Sequence, residues 1–517
     1  MRKFAIFPLA ALLVLAIYAQ RGANPPGPPE GSAGNGHAAA QPPEPPAKVE
    51  EKTSKTEHAI QIGGQTIPYT AVAGILLLKK EDGTPTASIF YIAYTRNGVA
   101  DISKRPVTFA FNGGPGASSV WLHMGSLGPK RVSMDANGNP APPPYKFVDN
   151  EYSVLDQTDL VFIDPVSTGY SRAVPDNSAR NFHSFRSDLD SVAEFIRLYT
   201  TRNNRWSSPK FLAGESYGTT RAAGLSGYLQ DKLGMNLNGI VLVSSVLNFG
   251  TIMPSPANDL PYALYLPTYT AAAWYHKKLP KDLESEGLRK AVDESKRFAA
   301  GPFTLALFKG TGISAEDRAA VVKNLARLTG LSPQYIDESN LRVPPGHFEK
   351  ELLREQRRTL GRYDSRLTGM DENAAGANPD YDPSYSSVQG PFTAAFNEYV
   401  RGDLKFDSDL PYEVLTSKVQ PWSFSEFENR YVDVSETLRD AMTKNPSLRV
   451  FVAMGYYDLA TPFFSQEYTL EHMQLDPKLS DHLSMDFFEA GHMMYTRLQS
   501  LEKLKQDISK FMAACLA

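Results

Sequence analysis

Cysteine is nearly absent from this sequence: of 517 residues, only Cys515 is one. No intramolecular disulfide can form, so the chain must be held together by its core, which its length permits. No basic surroundings can be argued for Cys515, which we predict to be a packed or frayed terminal thiol rather than a nucleophile.

Strong charge and metal-binding motifs are also missing. The formal net charge is −4 and 21% of residues are charged, so nothing suggests a nucleic-acid partner. The histidines include no H-E-x-x-H pair and no Cys/His cluster. Zinc catalysis therefore has no ligands to propose, and we predict no metal and no cofactor.

Long hydrophobic runs are confined to the start of the chain. Two basic residues precede an apolar run over residues 4–18, which is short for a membrane span and is followed by small residues. We predict a signal peptide over residues 1–23, with an uncleaved anchor as the alternative, and hence a secreted or periplasmic protein with no stable membrane partner after cleavage. Residues 24–55 are rich in Pro, Ala and Gly and are predicted to form a flexible linker.

The rest of the chain contains short β-forming runs and helical periodicities. The first runs are separated by turn residues and predict antiparallel strands, and later ones alternate with helical segments such as residues 185–199 and 501–511. This order predicts an α/β fold with a mostly parallel sheet flanked by helices. The predicted strands lie within residues 74–78, 87–94, 106–111, 160–163, 210–213, 240–243, 449–453 and 483–488.

Residues 254–445 break the alternation, because they contain few strand-like runs. We interpret them as a helical cap insertion between two parts of the core, residues 56–253 and 446–517. The insertion is either a second packed lobe or a cap over the site, and the two interpretations are compatible. A long surface loop is predicted over residues 371–390. The helical runs are 270–278, 282–298, 315–328, 347–360 and 393–400.

The pentapeptide G-E-S-Y-G at residues 214–218 follows an apolar run and precedes a potential helix. Strand, sharp turn and helix form the setting of a nucleophile elbow, which would expose Ser216. The glycines at 214 and 218 let strand and helix approach closely, since a side chain at either would collide. A plain Gly-containing turn is the alternative.

A serine nucleophile needs a base and a carboxylate that orients the base. In α/β-hydrolases the carboxylate and then the histidine follow the serine along the chain. Asp458 and His492 come directly after the last two predicted strands, where open α/β sheets place their sites. Taken singly, each is more often a turn former or a surface residue; together they predict a triad with Ser216.

The sequence N-G-G-P-G at residues 112–116 follows an earlier predicted strand. An oxyanion hole needs backbone N–H groups that converge, and glycines let the backbone approach the substrate. We predict that Gly114 and the residue after the nucleophile, Tyr217, supply these donors. The alternative is an ordinary Gly-Pro turn.

These motifs, with G-x-x-D-x-x-x-P at 455–462, A-G-H at 490–492 and residues 162–171, resemble those of the serine carboxypeptidases over about residues 70–500. The resemblance implies an α/β-hydrolase that removes C-terminal amino acids through an acyl-enzyme. It also implies that Asn112, Gly113 and Glu215 bind the substrate's terminal carboxylate. Glu215 must then be protonated, since two carboxylates in one site cannot both ionise cheaply.

Two positions depart from that family's pattern. Ala117 stands where a cysteine is usual, and Ser126 stands where eukaryotic members typically carry a second glutamate before L-G-P. Without the paired acid, Glu215 loses a like-charged neighbour that would raise its pKa. Our hypothesis is a weaker hold on a terminal carboxylate or a different pH preference.

The leading hypothesis is therefore an exported serine carboxypeptidase acting on peptide or protein C-termini. A proline-type aminopeptidase usually has histidine in place of Asn112 and lacks an elbow with Glu215. An esterase or acyltransferase on the same fold and a non-catalytic binding protein on a hydrolase scaffold also remain open. Cap aromatics could line the pocket but are more often core residues; they are Tyr262, Tyr265 and Trp274.

Overall fold

The computed structural model describes residues 49–174 and 177–517, which belong to one compact unit. The predicted signal peptide, residues 1–23, and most of the predicted linker lie outside the described residues. Within the described ranges, no helix combines the length and the apolar character needed to cross a bilayer.

Strands and helices follow one another as the periodicities indicate. The strands are β1 (Lys52–Ile62), β2 (Gln65–Lys79), β3 (Pro85–Arg96), β4 (Val107–Phe111), β5 (Lys130–Val132), β6 (Phe147–Asp149), β7 (Asp159–Ile163), β8 (Arg172–Ala173), β9 (Lys210–Glu215), β10 (Gly239–Val243), β11 (Thr359–Leu360), β12 (Thr368–Gly369), β13 (Arg449–Gly455) and β14 (Leu483–Phe488). The helices are α1 (Val120–Leu122), α2 (Phe185–Arg202), α3 (Tyr217–Leu233), α4 (Leu260–Tyr275), α5 (Lys281–Glu286), α6 (Leu288–Phe298), α7 (Thr304–Lys309), α8 (Ala315–Thr329), α9 (Pro333–Glu338), α10 (Pro345–Glu351), α11 (Pro383–Gly402), α12 (Ser435–Lys444), α13 (Phe463–Glu471) and α14 (Leu498–Leu516).

One ten-stranded sheet organises the molecule, in the order β1-β2-β3-β7-β4-β9-β10-β13-β14, with β8 paired to β3. The pairs from β1 to β7 are antiparallel, and every pair from β7 to β14 is parallel. The predicted α/β class with a mostly parallel sheet flanked by helices is confirmed. The parallel strands bring the loops after β4, β9, β13 and β14 to one edge of the sheet.

The central strands are buried on both faces, which explains their continuous apolar sequences. Side chains alternate along β4, so that Phe109 packs in one apolar layer and Ala110 in the other. Helices α2, α3 and α12 cover the first layer, and α11 and α14 cover the second. The core therefore lies on both sides of the sheet, beneath the edge that carries the loops.

The predicted insertion, residues 254–445, contributes to two parts of the structure. Helices α4 to α10 surround an apolar cluster of their own, whereas α11 and α12 pack on the sheet. Tyr265 is buried in that separate cluster, and Tyr262 and Trp274 pack against it, so the interpretation as core residues is confirmed.

Several predicted boundaries were wrong. The chain joins the sheet at Lys52, inside the predicted linker, because the long β2 offers partners to residues 52–55. The helical run 347–360 ends at Glu351, and its last residues form β11. The run 282–298 is broken at Gly287, whose φ of 88° is not helical. Helix α11 starts inside the predicted loop, because Asp382 caps it through Ser384 N at 2.9 Å and Pro383 is its first residue.

Candidate active site

Ser216 occupies a sharp turn between β9, which ends at Glu215, and α3, which begins at Tyr217. Its φ of 58° and ψ of −132° lie where non-glycine residues are rare. A Cβ added at Gly214 would lie 2.3 Å from the carbonyl oxygen of Gly218, so the close approach expected from the glycines is present. The turn has the form of a nucleophile elbow.

A buried histidine and a buried aspartate meet at the ends of the neighbouring strands. His492 Nδ1 donates to Asp458 Oδ2 at 2.7 Å. The other carboxylate oxygen accepts from the backbone N–H groups of Ala460 and Thr461 at 2.8 and 2.9 Å, and the Thr461 hydroxyl donates to Oδ2 at 2.7 Å. Asp458 is thus held by donors on both oxygens and orients the imidazole ring.

The electrostatic surroundings of His492 favour its charged form. Burial lowers the pKa of this imidazole, but the charge of Asp458, the hydrogen bond to it and the charge of Glu215 together raise the pKa above its ordinary value. An imidazolium formed here would therefore be stabilised, as a general base requires after it has taken a proton.

Ser216 and His492 line one cavity, which is open to solvent, together with Asn112, Glu215 and the glycine loop after β4. Gly113 and Gly114 both contribute to its wall. A Cβ added at Gly113 would lie 2.4 Å from the backbone nitrogen of Tyr217, so this loop is directly against the amide that follows the serine. The structure therefore brings the residues of three separate motifs to one place.

The remaining wall of the cavity is apolar, and half of its residues come from the insertion. Tyr363 stacks on His492 with ring centres 5.0 Å apart, and its carbonyl oxygen accepts from His492 N at 2.6 Å. Sequence reasoning did not place Tyr363, Tyr385 or Leu415 at the site, because they lie far from the motifs along the chain and have no pattern of their own. The apolar wall consists of Ala117, Trp121, Tyr363, Tyr385, Leu415 and Met493.

Glu215 is a buried acid in the same cavity, with 3% of its surface exposed. The Tyr495 hydroxyl donates to its Oε2 at 2.6 Å. Burial raises the pKa of Glu215 to about 7, against the lowering effects of His492 and of hydrogen bonds from Tyr495 and Asn112. The Asn112 side-chain oxygen already accepts from Leu122 N at 3.0 Å, which leaves its NH2 group as the donor.

A buried ion pair links the glycine loop to the elbow from behind. Arg221 in α3 donates through Nη1 to the carbonyl oxygen of Asn112 at 2.6 Å and through Nε to Asp188 at 2.8 Å. The Tyr217 hydroxyl also donates to Asp188, at 3.3 Å. This contact holds in register the two segments predicted to supply oxyanion donors.

Ser126 lies in the π-helical turn His123–Leu127 and does not line the cavity. Its hydroxyl donates to the carbonyl oxygen of Leu122 at 3.2 Å. Among the described residues, no group of three or more His, Cys, Asp or Glu side chains is arranged to hold a metal ion. The polar chemistry of the cavity comes from Ser216, His492, Glu215 and Asn112.

The sheet order, the elbow and the strand-end His–Asp pair define the α/β-hydrolase class. A sequence profile of the family described as serine carboxypeptidase matches residues 64–486. The chain belongs to the serine carboxypeptidase family.

Individual relatives match only segments of the chain. A pheromone-processing carboxypeptidase KEX1 from Yarrowia lipolytica is 29% identical over 170 residues, which are 32% of this chain and 25% of that protein. The serine carboxypeptidase-like 20 protein of Arabidopsis thaliana is 27% identical over 155 residues, 29% of each chain. The matched segments thus span less than a third of these relatives' lengths.

Among solved structures, the chain is similar to the crystal structure of Kex1(Δ)p, a prohormone-processing carboxypeptidase from Saccharomyces cerevisiae. The TM-score is 0.55 at 15% identity, and the alignment covers 86% of this chain and 91% of the other. This likeness confirms the predicted α/β-hydrolase fold.

Proposed function

We propose that this protein is an exported serine carboxypeptidase that releases C-terminal amino acids from peptides. The observation that carries the proposal is the presence of a buried acid, Glu215, and an amide donor, Asn112, in the cavity that Ser216 and His492 line. A hydrolase for esters or internal peptide bonds has no need of a buried acid beside its nucleophile. A protonated carboxylic acid and an amide NH2 group can both donate hydrogen bonds to a C-terminal carboxylate.

In the proposed acylation step, His492 Nε2 takes the proton of the Ser216 hydroxyl as Oγ attacks the scissile carbonyl carbon. The N–H groups of Tyr217 and Gly114 stabilise the resulting oxyanion, and Asp458 stabilises the imidazolium. The carbon–nitrogen bond then breaks, and His492 returns the proton to the leaving amino acid. Water repeats the sequence on the acyl-enzyme and releases the shortened peptide.

The proposed recognition step uses the protonated form of Glu215. Its acid proton, the NH2 group of Asn112 and the N–H of Gly113 donate to the terminal carboxylate of the substrate. Because the pKa of Glu215 is raised to about 7, this acid is protonated below neutral pH and ionises above it. We expect KM for peptides to rise as the pH passes through 7, because ionised Glu215 repels the substrate's carboxylate.

The apolar wall also favours a class of substrate. Apart from tyrosines, only Glu215 and His492 among the lining residues can carry a charge. Trp121 and Tyr385 meet edge to face, with ring centres 6.3 Å apart. We propose a preference for uncharged, apolar residues at the substrate C-terminus, since a Lys or Asp side chain would lose its water without gaining a partner.

Peptides blocked at one end test the proposal. With an N-blocked peptide, we expect release of C-terminal residues, while a C-amidated peptide with a free N-terminus stays intact. Ser216→Ala should lower kcat roughly 10⁴-fold or more, and Ser480→Ala, at an exposed serine before β14, should have no effect. Trimming only from the free N-terminus would favour the aminopeptidase, and cleavage of esters alone would favour an esterase.

Export is proposed on the basis of residues 1–23. N-terminal sequencing of the protein recovered outside the cytoplasm should then begin near residue 24. Recovery of the uncut chain in the membrane fraction would favour the uncleaved anchor.

A further inference from the structure

Tyr495 is a direct polar partner of Glu215 but does not line the substrate cavity. Its hydroxyl donates to Glu215 Oε2 at 2.6 Å, and both side chains are at most 3% exposed. A hydroxyl that donates to Oε2 makes that oxygen the acceptor. The acid proton of Glu215 is then placed on the other oxygen, Oε1.

The position of the Tyr495 ring is determined by Gly125. A Cβ added at Gly125 would lie 2.2 Å from the ring, so the ring packs directly against the backbone of the turn His123–Leu127. Ser126 in the same turn donates to the carbonyl oxygen of Leu122 and not to Glu215. Position 126, where the family pattern has a second acid, therefore gives Glu215 no partner, and the Tyr495 hydroxyl supplies one.

We propose that Tyr495 is a positioning residue that orients the proton of Glu215 toward the terminal carboxylate of the substrate, in place of a second acid at position 126. The proposal rests on the proposed carboxypeptidase function. It differs from a paired-acid arrangement because the phenol keeps its proton: burial and the neighbouring Glu215 raise the pKa of Tyr495 well above its ordinary value. The partner of Glu215 thus remains a neutral donor at acidic and neutral pH.

Five groups act on Glu215, and they come from four segments of the chain. His492 and Asp458 carry the nearby charges, Asn112 and Tyr495 donate hydrogen bonds, and Tyr363 lies across the cavity. Of the two hydrogen-bond donors, only Tyr495 lies outside the cavity. Removal of its hydroxyl therefore changes Glu215 without removing a substrate contact.

The test is Tyr495→Phe, which keeps the ring against Gly125 and removes the donor. The hydrogen bond lowers the pKa of Glu215. Its loss should therefore increase, by about half a pH unit or more, the pH at which KM begins to rise. Below that pH, KM for an N-blocked peptide should rise about tenfold, with kcat changed less. Hydrolysis of the corresponding C-terminal methyl ester should be unaffected.

Ser126→Ala is the matched control, because it removes a hydroxyl from the neighbouring turn that does not contact Glu215; its KM profile should equal that of the wild type. Site-specific 3-fluorotyrosine at position 495 is a stronger donor of similar size. It should move the midpoint of the rise in KM with pH to lower pH, and this measurement can be made even if the phenylalanine variant fails to fold. An unchanged midpoint in either substituted protein would overturn the proposal. If the wild type itself leaves the N-blocked peptide intact, the proposed function fails instead.

Discussion

The two ends of the central sheet each bury a carboxylate, but they surround it differently. At the amino end, Asp159 accepts from Arg105 Nε at 3.0 Å and from Arg205 Nη1 at 2.6 Å, with all three side chains buried. At the carboxyl end, Glu215 receives hydrogen bonds from a phenol and an amide.

The hydrogen-bond partners distinguish the two carboxylates: Asp159 is fully occupied by structural contacts, whereas Glu215 lines a cavity that a ligand can enter. Two guanidinium groups occupy both oxygens of Asp159 and tie the starts of β4, β7 and β9 together. Removing a partner from such a pair leaves buried charge uncompensated. Among the described residues, Glu215 has no guanidinium or ammonium partner, and its pKa is raised to about 7. In its protonated form it can therefore donate a hydrogen bond to an incoming anion.

Asp159→Ala should give the largest change in stability. Two buried guanidinium groups would lose their counter-charge, at a cost of about 3–5 kcal/mol in the free energy of unfolding. Urea unfolding measures this, and kcat/KM of the folded fraction should stay within about twofold, because the site is at the other end of the sheet. Asp231→Ala, which breaks an exposed pair with Lys444, is the control and should cost less than about 1 kcal/mol. An equal effect of both changes would contradict the comparison.

Glu215→Gln should stabilise the protein as the pH rises, in contrast to the loss of stability expected for Asp159→Ala. A folded-state pKa raised from 4.5 to about 7 means that protonated Glu215 stabilises the fold fully below pH 4.5, and that this contribution is lost as the pH rises to 7. Glutamine does not ionise. As the pH rises from 4 to 8, the free energy of unfolding of the variant should therefore increase by about 3 kcal/mol relative to that of the wild type. Urea unfolding of both proteins at pH 4 and at pH 8 measures this change in the free energy of unfolding. The same variant should bind peptides with a KM that no longer rises above pH 7.

Thr461→Val should have the smallest effect and extends the comparison to Asp458, which is also held by neutral donors. The change removes the hydroxyl bond to Oδ2 but keeps both backbone N–H donors on Oδ1. We expect kcat to fall about tenfold, as one hydrogen bond to a charged group is lost, with KM unchanged. A fall as large as that for Ser216→Ala would show that Asp458 depends on this single contact.

The sequence allowed prediction of the sheet and of the residues that meet at its edge, because both follow from local patterns. Apolar runs marked the buried strands, and the order of Ser216, Asp458 and His492 placed each after a strand of the parallel part. Tyr495 was missed although it lies three residues after His492, because its contact depends on the close approach allowed by Gly125. The start of β1 was missed for a similar reason, since pairing with β2 outweighs the polar composition of residues 52–55.

The hydrogen bond from His492 N to the carbonyl oxygen of Tyr363 has a consequence for engineering. The insertion is joined to the backbone of His492 by this bond, and the same segment forms part of the cavity wall. Swapping the whole insertion between family members would therefore alter the histidine's setting together with selectivity. A graft that retains residues 359–385 from the host and exchanges only α4 to α9 would leave the surroundings of His492 unchanged while the rest of the insertion is replaced.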